Sequence, residues 1–261
     1  MGCSSSKQTG HNQQPNRPQI GPPTDVTIHV PRNRVDASGQ PIQQVSRDVD
    51  RPGMQQALGL MATYLHRKHA EVTAITVGGA VNCLLLQSRY STHDVDIFGT
   101  NLDNRARMLL DEAMQYAIQH SPVALGTDWF NTETQMWMSP GMQRDLTEEA
   151  LRQQIVVFRQ PGLTLLAAPW GYAFGAKVQR LVTRSEQARP YDLDDAVSYL
   201  RQLVQRNEGR PATLQQLEDC ARRYHQTTDA RYLLESVNGA YERMYRSPGI
   251  VRSGGKGSRR R

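Results

Sequence analysis

Two aspartates, Asp94 and Asp96, stand in the stretch S-T-H-D-V-D-I-F, in which acidic and apolar residues alternate. Residues i and i+2 of a β-strand project to the same face, with Cα atoms about 6.7 Å apart at a rise near 3.3 Å per residue. Two carboxylates on one face can hold a pair of divalent ions, as two-metal phosphoryl-transfer sites require. The spacing therefore predicts a Mg²⁺ (or Mn²⁺) site at Asp94 and Asp96. The alternative is a pair of acids that cap a loop.

The D-x-D pattern is weak by itself, because it recurs at residues 48–50 and 192–194. The copy at 94–96 differs in what precedes it: a strand over 74–77, Gly78-Gly79, a helix over 80–88, a turn with Thr92, and a strand over 95–98. Glycines let a phosphate approach the backbone, and a helix N-terminus offers unpaired N–H groups. We therefore expect Gly78 and Gly79 to bind phosphates, although Gly78-Gly79 is also compatible with an ordinary turn.

The elements that position these residues follow from hydrophobic periodicity. Helices are predicted over 52–69 and over 101–120, the second with Asn101 as its N-cap. Strands are predicted over 155–158 and 163–166. The remainder is predicted to be helical, over 170–185, 193–206, 214–224 and 231–245. Thr213 and Gln216 form a capping-box pattern at the start of the third of these helices. The pattern indicates an α/β (α+β) fold, with a small mixed-sheet core followed by a helical C-terminal part.

The order from Gly78-Gly79 to D-V-D-I resembles the polymerase-β-type nucleotidyltransferase superfamily, in particular minimal relatives linked to toxin–antitoxin and abortive-infection systems. The resemblance implies Mg²⁺-dependent transfer of a nucleotidyl group from an NTP to a hydroxyl acceptor. It also implies a third carboxylate, for which Asp128 and Glu133 are the nearest candidates. Thr92 fits the R-x-T-x-D-x-D turn of these relatives, which implies that Thr92 helps to bind the triphosphate. Arg89 stands one residue too early for that turn.

Weaker similarities lie downstream, where the family often has W-h-N and then helices with lysine and with D-x-x-D. The sequence W-F-N that begins at Trp129 resembles the first of these elements. Trp129 itself is expected to lie in the core rather than to stack on a base. Lys177 either extends to the surface or contacts the nucleotide phosphates, and both alternatives stay open. Asp192 and Asp195 share a helix face and are equally compatible with pairing to Arg189 or Arg180.

The chain opens M-G-C-S-S-S-K, which fits the N-myristoylation pattern M-G-x-x-x-[ST]. One myristoyl chain binds a membrane weakly, so stable anchoring needs a second signal, and Cys3 is placed for palmitoylation. We expect acylation at Gly2 and Cys3, the alternative being an arbitrary Ser-rich leader. Residues 1–50 are polar and rich in Gln and Pro, which is typical of a disordered tether.

The 261 residues carry a net charge of +6, and 38% of them are hydrophobic. Residues 240–261 hold seven basic residues and one acidic residue, so they account for the whole excess. Such a tail suits an anionic membrane surface or serves solubility alone. The three cysteines are far apart, which favours a reducing compartment. No stretch reaches the roughly 20 apolar residues that a spanning helix needs.

These observations predict four segments: an acylated tether (1–50), a nucleotidyltransferase-like core (51–168), a helical region (169–246) and a basic tail (247–261). The leading hypothesis is a lipid-anchored nucleotidyltransferase at the cytoplasmic face of a membrane, with RNA, protein or a small molecule as the acceptor. The alternatives are a catalytically inactive nucleotide sensor or scaffold, and a lipid-binding adaptor.

Overall fold

The computed structural model describes residues 44–183 and 188–252, and elements are numbered here in chain order. A mixed five-stranded sheet lies at its centre, formed by β2 (Val72–Val77), β4 (Val95–Phe98), β5 (Phe130–Asn131), β6 (Val156–Gln160) and β7 (Leu163–Ala167). The spatial order is β5-β4-β2-β7-β6. Strand β2 runs antiparallel to β4 and parallel to β7.

Helices surround this sheet and fill the C-terminal part. They are α1 (Arg51–Arg67), α2 (Gly79–Val81), α3 (Asn104–His120), α4 (Pro140–Gln153), α5 (Trp170–Val182), α6 (Asp192–Arg206), α7 (Leu214–Arg223), α8 (Ala230–Tyr232) and α9 (Asn238–Tyr245). Helix α2 continues as a π-helical turn over Asn82–Leu86, and α8 does so over Leu233–Val237. A short 3₁₀ helix spans Glu133–Trp137.

The sheet buries both faces because its strands alternate between two cores. Ala74 and Ile97 join the core beneath α1 and α3. Their neighbours Ile75 and Phe98 join the opposite core, which includes Leu146 of α4. This period-2 alternation is the pattern expected of a strand whose side chains point to opposite faces.

The C-terminal helices form a third core that is continuous with the sheet. Helices α5, α6 and α9 contribute Phe174, Leu200 and Tyr241, while α2 contributes Val81 and strand β7 contributes Ala167. A two-residue strand, β9 (Ile250–Val251), pairs in parallel with β8 (Ala212–Thr213) and closes this part. The prediction of an α+β fold, with a mixed-sheet core followed by a helical part, is confirmed.

Residues 44–50 lie against the domain rather than apart from it. A short strand, β1 (Val49–Asp50), pairs antiparallel with β3 (Ser91–Thr92) beside the D-x-D segment. The backbone N–H of Val45 donates to Thr127 Oγ1 at 2.6 Å. Asp50 caps helix α1 by accepting from the N–H of Gly53 at 2.9 Å. The D-x-D copy at residues 48–50 therefore has a structural role, because Asp50 caps α1 and residues 49–50 form strand β1.

Two cap predictions had different outcomes. The capping box at Thr213 and Gln216 is present at the start of α7, as expected. The prediction of Asn101 as the N-cap of α3 was wrong: Asp103 caps this helix. Asn101 instead donates through Nδ2 to the carbonyl of Thr73 at 2.7 Å.

The membrane predictions fall partly outside the described residues. The residues outside the described ranges include Gly2, Cys3 and residues 253–261 of the basic tail. Within residues 44–183 and 188–252, none of the helices has the length and apolar character needed to cross a bilayer.

Candidate functional site

The pairing of β2 with β4 sets the Gly78-Gly79 turn beside the D-x-D segment. Val77, the last residue of β2, lies opposite Asp96 in the antiparallel register. The chain leaves β2 at Gly78 with φ of 81°, a conformation that favours glycine. A Cβ at Gly78 would lie 3.8 Å from Asp96 Oδ2. The carboxylate of Asp96 and the glycine turn therefore border the same space.

Gly79 is required by close packing from β3. A Cβ at this position would overlap Thr92 Oγ1 and would lie 3.1 Å from Nη1 of Arg89. Thr92 is buried, so its side chain has little room to move away. The absent side chain of Gly79 therefore lets β3 and Arg89 close over the start of α2.

These residues line one cleft with a volume of about 220 Å³. Six of the predicted site residues border it: Gly78, Gly79, Thr92, Asp94, Asp96 and Lys177. Asp94 immediately precedes β4 and Asp96 lies within it, and both carboxylates are half-buried. The other residues that border the cleft are Ser46, Arg89, His93, Arg180, Arg189 and Tyr191.

A buried ion network forms the cationic wall of this cleft. Lys177 Nζ lies 2.9 Å from Asp192 Oδ1 and 2.8 Å from Asp195 Oδ2. Both aspartate side chains are fully buried, and Lys177 is 3% exposed, so its surface alternative does not hold. Arg180 approaches Asp192 Oδ1 at 3.3 Å. A buried charge network of this kind requires well-placed partners, since an uncompensated buried charge is costly.

Arg89 completes the network at the Asp195 carboxylate. Its guanidinium makes a two-pronged contact with the Asp195 carboxylate, in which Nε donates to Oδ1 at 2.9 Å and Nη2 donates to Oδ2. Its Cζ also lies 3.5 Å from the centroid of the Tyr191 ring, a cation–π distance. Arg89 and Asp195 are 106 residues apart in sequence, so only the tertiary fold brings them together.

The environment sets the charge of these groups. Burial lowers the pKa of Lys177, against the opposing pull of the Asp195 carboxylate. Burial alone would raise the pKa of Asp192, but the charge and hydrogen bond of Lys177 hold it below its ordinary value. Burial alone would lower the pKa of Arg89, but its hydrogen bond to Asp195 raises it. At neutral pH, Asp192 and Arg89 are therefore charged.

The helical part also contacts the glycine turn directly. Tyr199 of α6 is fully buried, and its Oη donates to the carbonyl of Gly78 at 3.1 Å. Burial raises the pKa of Tyr199, so the hydroxyl keeps its proton.

Asp128 is the predicted site residue that the structure places elsewhere. It precedes β5, and its Oδ2 accepts a 3.1 Å hydrogen bond from Gln44 Nε2. Neither Asp128 nor Glu133 is among the residues that line the cleft. Trp129, next to Asp128, is buried in the core, as expected.

The donor set of the cleft is compatible with Mg²⁺. Residues 44–183 and 188–252 contain no group of three or more His, Cys, Asp or Glu side chains arranged to hold a metal ion. Mg²⁺ keeps several water molecules and binds through one or two carboxylates plus substrate phosphates. Asp94 and Asp96 supply two such carboxylates beside a cationic wall, so these residues fit the ion.

The α+β fold and its charged cleft lie within a recognised family domain. The chain belongs to the family described as "Domain of unknown function (DUF7582)", whose model matches residues 47–248. The matched range includes every residue that lines the cleft except Ser46. Comparisons with curated proteins and with solved structures gave no match.

Sequence reasoning missed several residues of the cleft. Arg89 was noted only as displaced from a family pattern, yet it borders the cleft and binds Asp195. Ser46 lies in the segment interpreted as a tether. The signal that could have found Arg89 is a lone arginine between two buried elements, because a buried guanidinium needs a carboxylate partner.

Proposed function

We propose that this protein is a nucleotidyltransferase-like enzyme, tethered to the cytoplasmic face of a membrane, that transfers a nucleotidyl group from an NTP to a hydroxyl acceptor. One observation carries the proposal: a single cleft combines the Gly78-Gly79 turn, two carboxylates and a cationic wall. Phosphates and a divalent ion are the ligands whose charges suit that combination.

The phosphate-binding part of the cleft is the side with the glycine turn. Gly78 leaves space beside its backbone, where the nearest atom to a Cβ would be Asp96 Oδ2 at 3.8 Å, and Thr92 Oγ1 fills the space next to Gly79. Arg180 and Arg189 add positive charge at the rim. Lys177 and Arg89 are held by Asp195, so they contribute charge from fixed positions and do not follow a moving phosphate. Fixed charges need no reorganisation during a reaction.

Asp94 and Asp96 would hold Mg²⁺ (or Mn²⁺). A bound divalent ion polarises the phosphoryl oxygens and stabilises the charge that develops on them. In the transfer itself, the acceptor oxygen forms a bond to the α-phosphorus, the bond to the bridging oxygen breaks, and pyrophosphate leaves. The acceptor hydroxyl gives its proton to solvent water in the same reaction.

A second candidate is nucleotide binding without transfer. The carboxylates that line the cleft are those of Asp94 and Asp96, and Asp128 is hydrogen-bonded to Gln44 outside it. A nucleotidyltransferase of the resembling superfamily would use a third carboxylate to activate the acceptor. The position of Asp128 therefore favours a nucleotide sensor or scaffold over an active transferase.

The membrane part of the proposal rests on the sequence at the two ends. Gly2 and Cys3 fit a dual acylation signal, and the basic tail would add attraction to anionic lipids. In a lipid-binding adaptor, the tail itself would carry the function. Deleting residues 253–261 would then weaken binding to anionic vesicles in a salt-dependent manner, whereas an acyl-anchored protein would respond little.

The decisive assay for transfer is pyrophosphate release, because it needs no knowledge of which acceptor hydroxyl reacts. The full chain is incubated with each NTP, Mg²⁺ and mixed acceptors: RNA, protein and polyols. The proposal predicts release that is lost in the Asp94→Asn/Asp96→Asn double variant and kept in Asp219→Asn, an exposed control on α7. Undiminished release in the double variant would overturn the proposal. Nucleotide binding without release would select the sensor.

A further inference from the structure

A second cleft, with a volume of about 360 Å³, adjoins the first one. The two clefts share Gly78, Asp96 and Arg180 as lining residues. Asp96 therefore stands between them, and a ligand in the second cleft reaches the same carboxylate as a phosphate in the first.

The second cleft differs from the first in chemistry. Its lining includes Trp137, Met142, Tyr172 and Tyr224, and it has only Asp96 and Arg180 as permanently charged side chains among the described residues. The rings of Tyr172 and Tyr224 meet edge-on, with centroids 5.5 Å apart. The amide side chains of Gln179 and Gln226 lie in the same wall. Such a lining suits a flat, uncharged group with polar edges and does not suit a polyanion.

Trp137 is the unusual residue of this wall. It closes the 3₁₀ helix at the rim of the second cleft and is 84% exposed, whereas Trp129 and Trp170 are 1% and 3% exposed. Met136 beside it is also exposed. Large exposed apolar side chains at the edge of a cavity are typical of binding surfaces, and a tryptophan ring stacks well on another ring.

We propose that the second cleft binds an uncharged planar aromatic ring, with Trp137 stacking on it at the rim. The inference rests on the proposed function, because the ring belongs either to the base of the NTP or to the acceptor that reacts beside Asp96. Both rings would present the same chemistry to Trp137 and Tyr172. In either case, the ring would be joined to a reacting group that lies beside Asp96, which both clefts share.

Quenching of tryptophan fluorescence by acrylamide tests this directly. Because Trp129 and Trp170 are buried, the quencher reports mainly on Trp137. The full chain is titrated with adenosine, uridine and N-acetyltyrosinamide, and with each NTP plus Mg²⁺, and protection from the quencher is measured. In Trp137→Ala, which lacks the reporting ring, calorimetry should show binding of the protecting ligand weakened about tenfold, as loss of one stacking ring does. Tyr90→Ala, which removes an equally exposed ring outside this cleft, should not weaken it.

The arms separate the two sources of the ring. Protection by an NTP at far lower concentration than by its nucleoside assigns the ring to the base. Protection by N-acetyltyrosinamide while a non-hydrolysable NTP is bound assigns it to the acceptor. The inference would be overturned if NTP bound in a Mg²⁺-dependent manner, no ring compound protected Trp137, and Trp137→Ala bound NTP with unchanged affinity. The proposed function would then remain intact. Ring protection without NTP binding would support the cleft and overturn the transferase.

Discussion

Tyr199 of helix α6 donates a 3.1 Å hydrogen bond from Oη to the carbonyl oxygen of Gly78, the residue that follows β2. The two residues are 121 positions apart. Because of this bond, the helical C-terminal part fixes the glycine turn of the sheet core. The cleft is therefore a product of both parts of the domain.

Tyr199→Phe should loosen the glycine turn while keeping the packing of its ring on Trp170. We expect a loss of about 1 kcal/mol in the free energy of unfolding, the typical net value of one hydrogen bond, together with weaker nucleotide binding. Tyr241→Phe is the matched control, since Tyr241 is equally buried and accepts from Arg201 away from both clefts. Equal nucleotide affinity in the two variants, measured by calorimetry, would contradict a role for Tyr199 in the site.

Gly79→Ala should be destabilising, because its Cβ would overlap Thr92 Oγ1 and press on Arg89. Overpacking of this kind costs about 1–3 kcal/mol, which denaturant unfolding would detect. The control is Gly141→Ala in α4, where the nearest atom is 4.0 Å away and alanine favours the helix. A Gly79→Ala variant as stable as Gly141→Ala would show that β3 does not close over the turn.

Asp192→Asn should destabilise the protein by about 3–5 kcal/mol at neutral pH, because it removes one partner of a buried ion network. The folded state lowers the pKa of Asp192 below its ordinary value of 3.8. The stabilisation is therefore complete above that value and is lost as the pH falls through the lower, folded pKa. The difference between wild type and variant should shrink in acid. Urea unfolding from pH 7 to acid checks this, and a pH-independent difference would contradict it.

Gly2→Ala should abolish myristate incorporation and shift the protein from the membrane to the soluble fraction, since the acyl chain needs the α-amine of glycine. Cys3→Ser should leave one chain and give weak, reversible binding. Metabolic labelling with a myristate analogue, followed by fractionation, measures both, with Ser4→Ala as the control. Full membrane retention of Gly2→Ala would exclude this anchor.

The parts of the fold that the sequence could predict are those with local periodicity. The amphipathic helix at residues 51–67 and the strands at residues 72–77 and 95–98 carry enough repeats to show their period. The two-residue strands β1 and β3 have no measurable period, so their pairing was missed. Near the start of α3, both Asn101 and Asp103 have side chains that can cap a helix. The hydrophobic spacing did not show which of the two is the N-cap.

The site likewise has residues that a local sequence pattern can predict and residues that it cannot. Gly78, Gly79, Asp94 and Asp96 all lie between residues 78 and 96, so a short motif could bring them to notice. The contact of Arg89 with Asp195 and that of Tyr199 with Gly78 depend on the packing of α6 against the sheet core. Such pairs occur at no fixed spacing in a sequence, so a single sequence does not reveal them. The position of Asp128 relative to the cleft depends on packing in the same way.

A nucleotide bound in the first cleft through Mg²⁺ at Asp94 and Asp96 should stabilise the folded chain. The most direct measurement is thermal unfolding of the full chain with each of the four NTPs, with and without Mg²⁺, in wild type and in Asp94→Asn/Asp96→Asn. A ligand at about 100 times its Kd adds about 2.7 kcal/mol, which raises the Tm of a domain of this size by about 5 °C or more. Nucleotide binding at this cleft predicts such a shift in Tm with at least one NTP. The shift should depend on Mg²⁺ and should be absent in the double variant. An unchanged Tm with all four NTPs, or a shift that survives in the double variant, would contradict it.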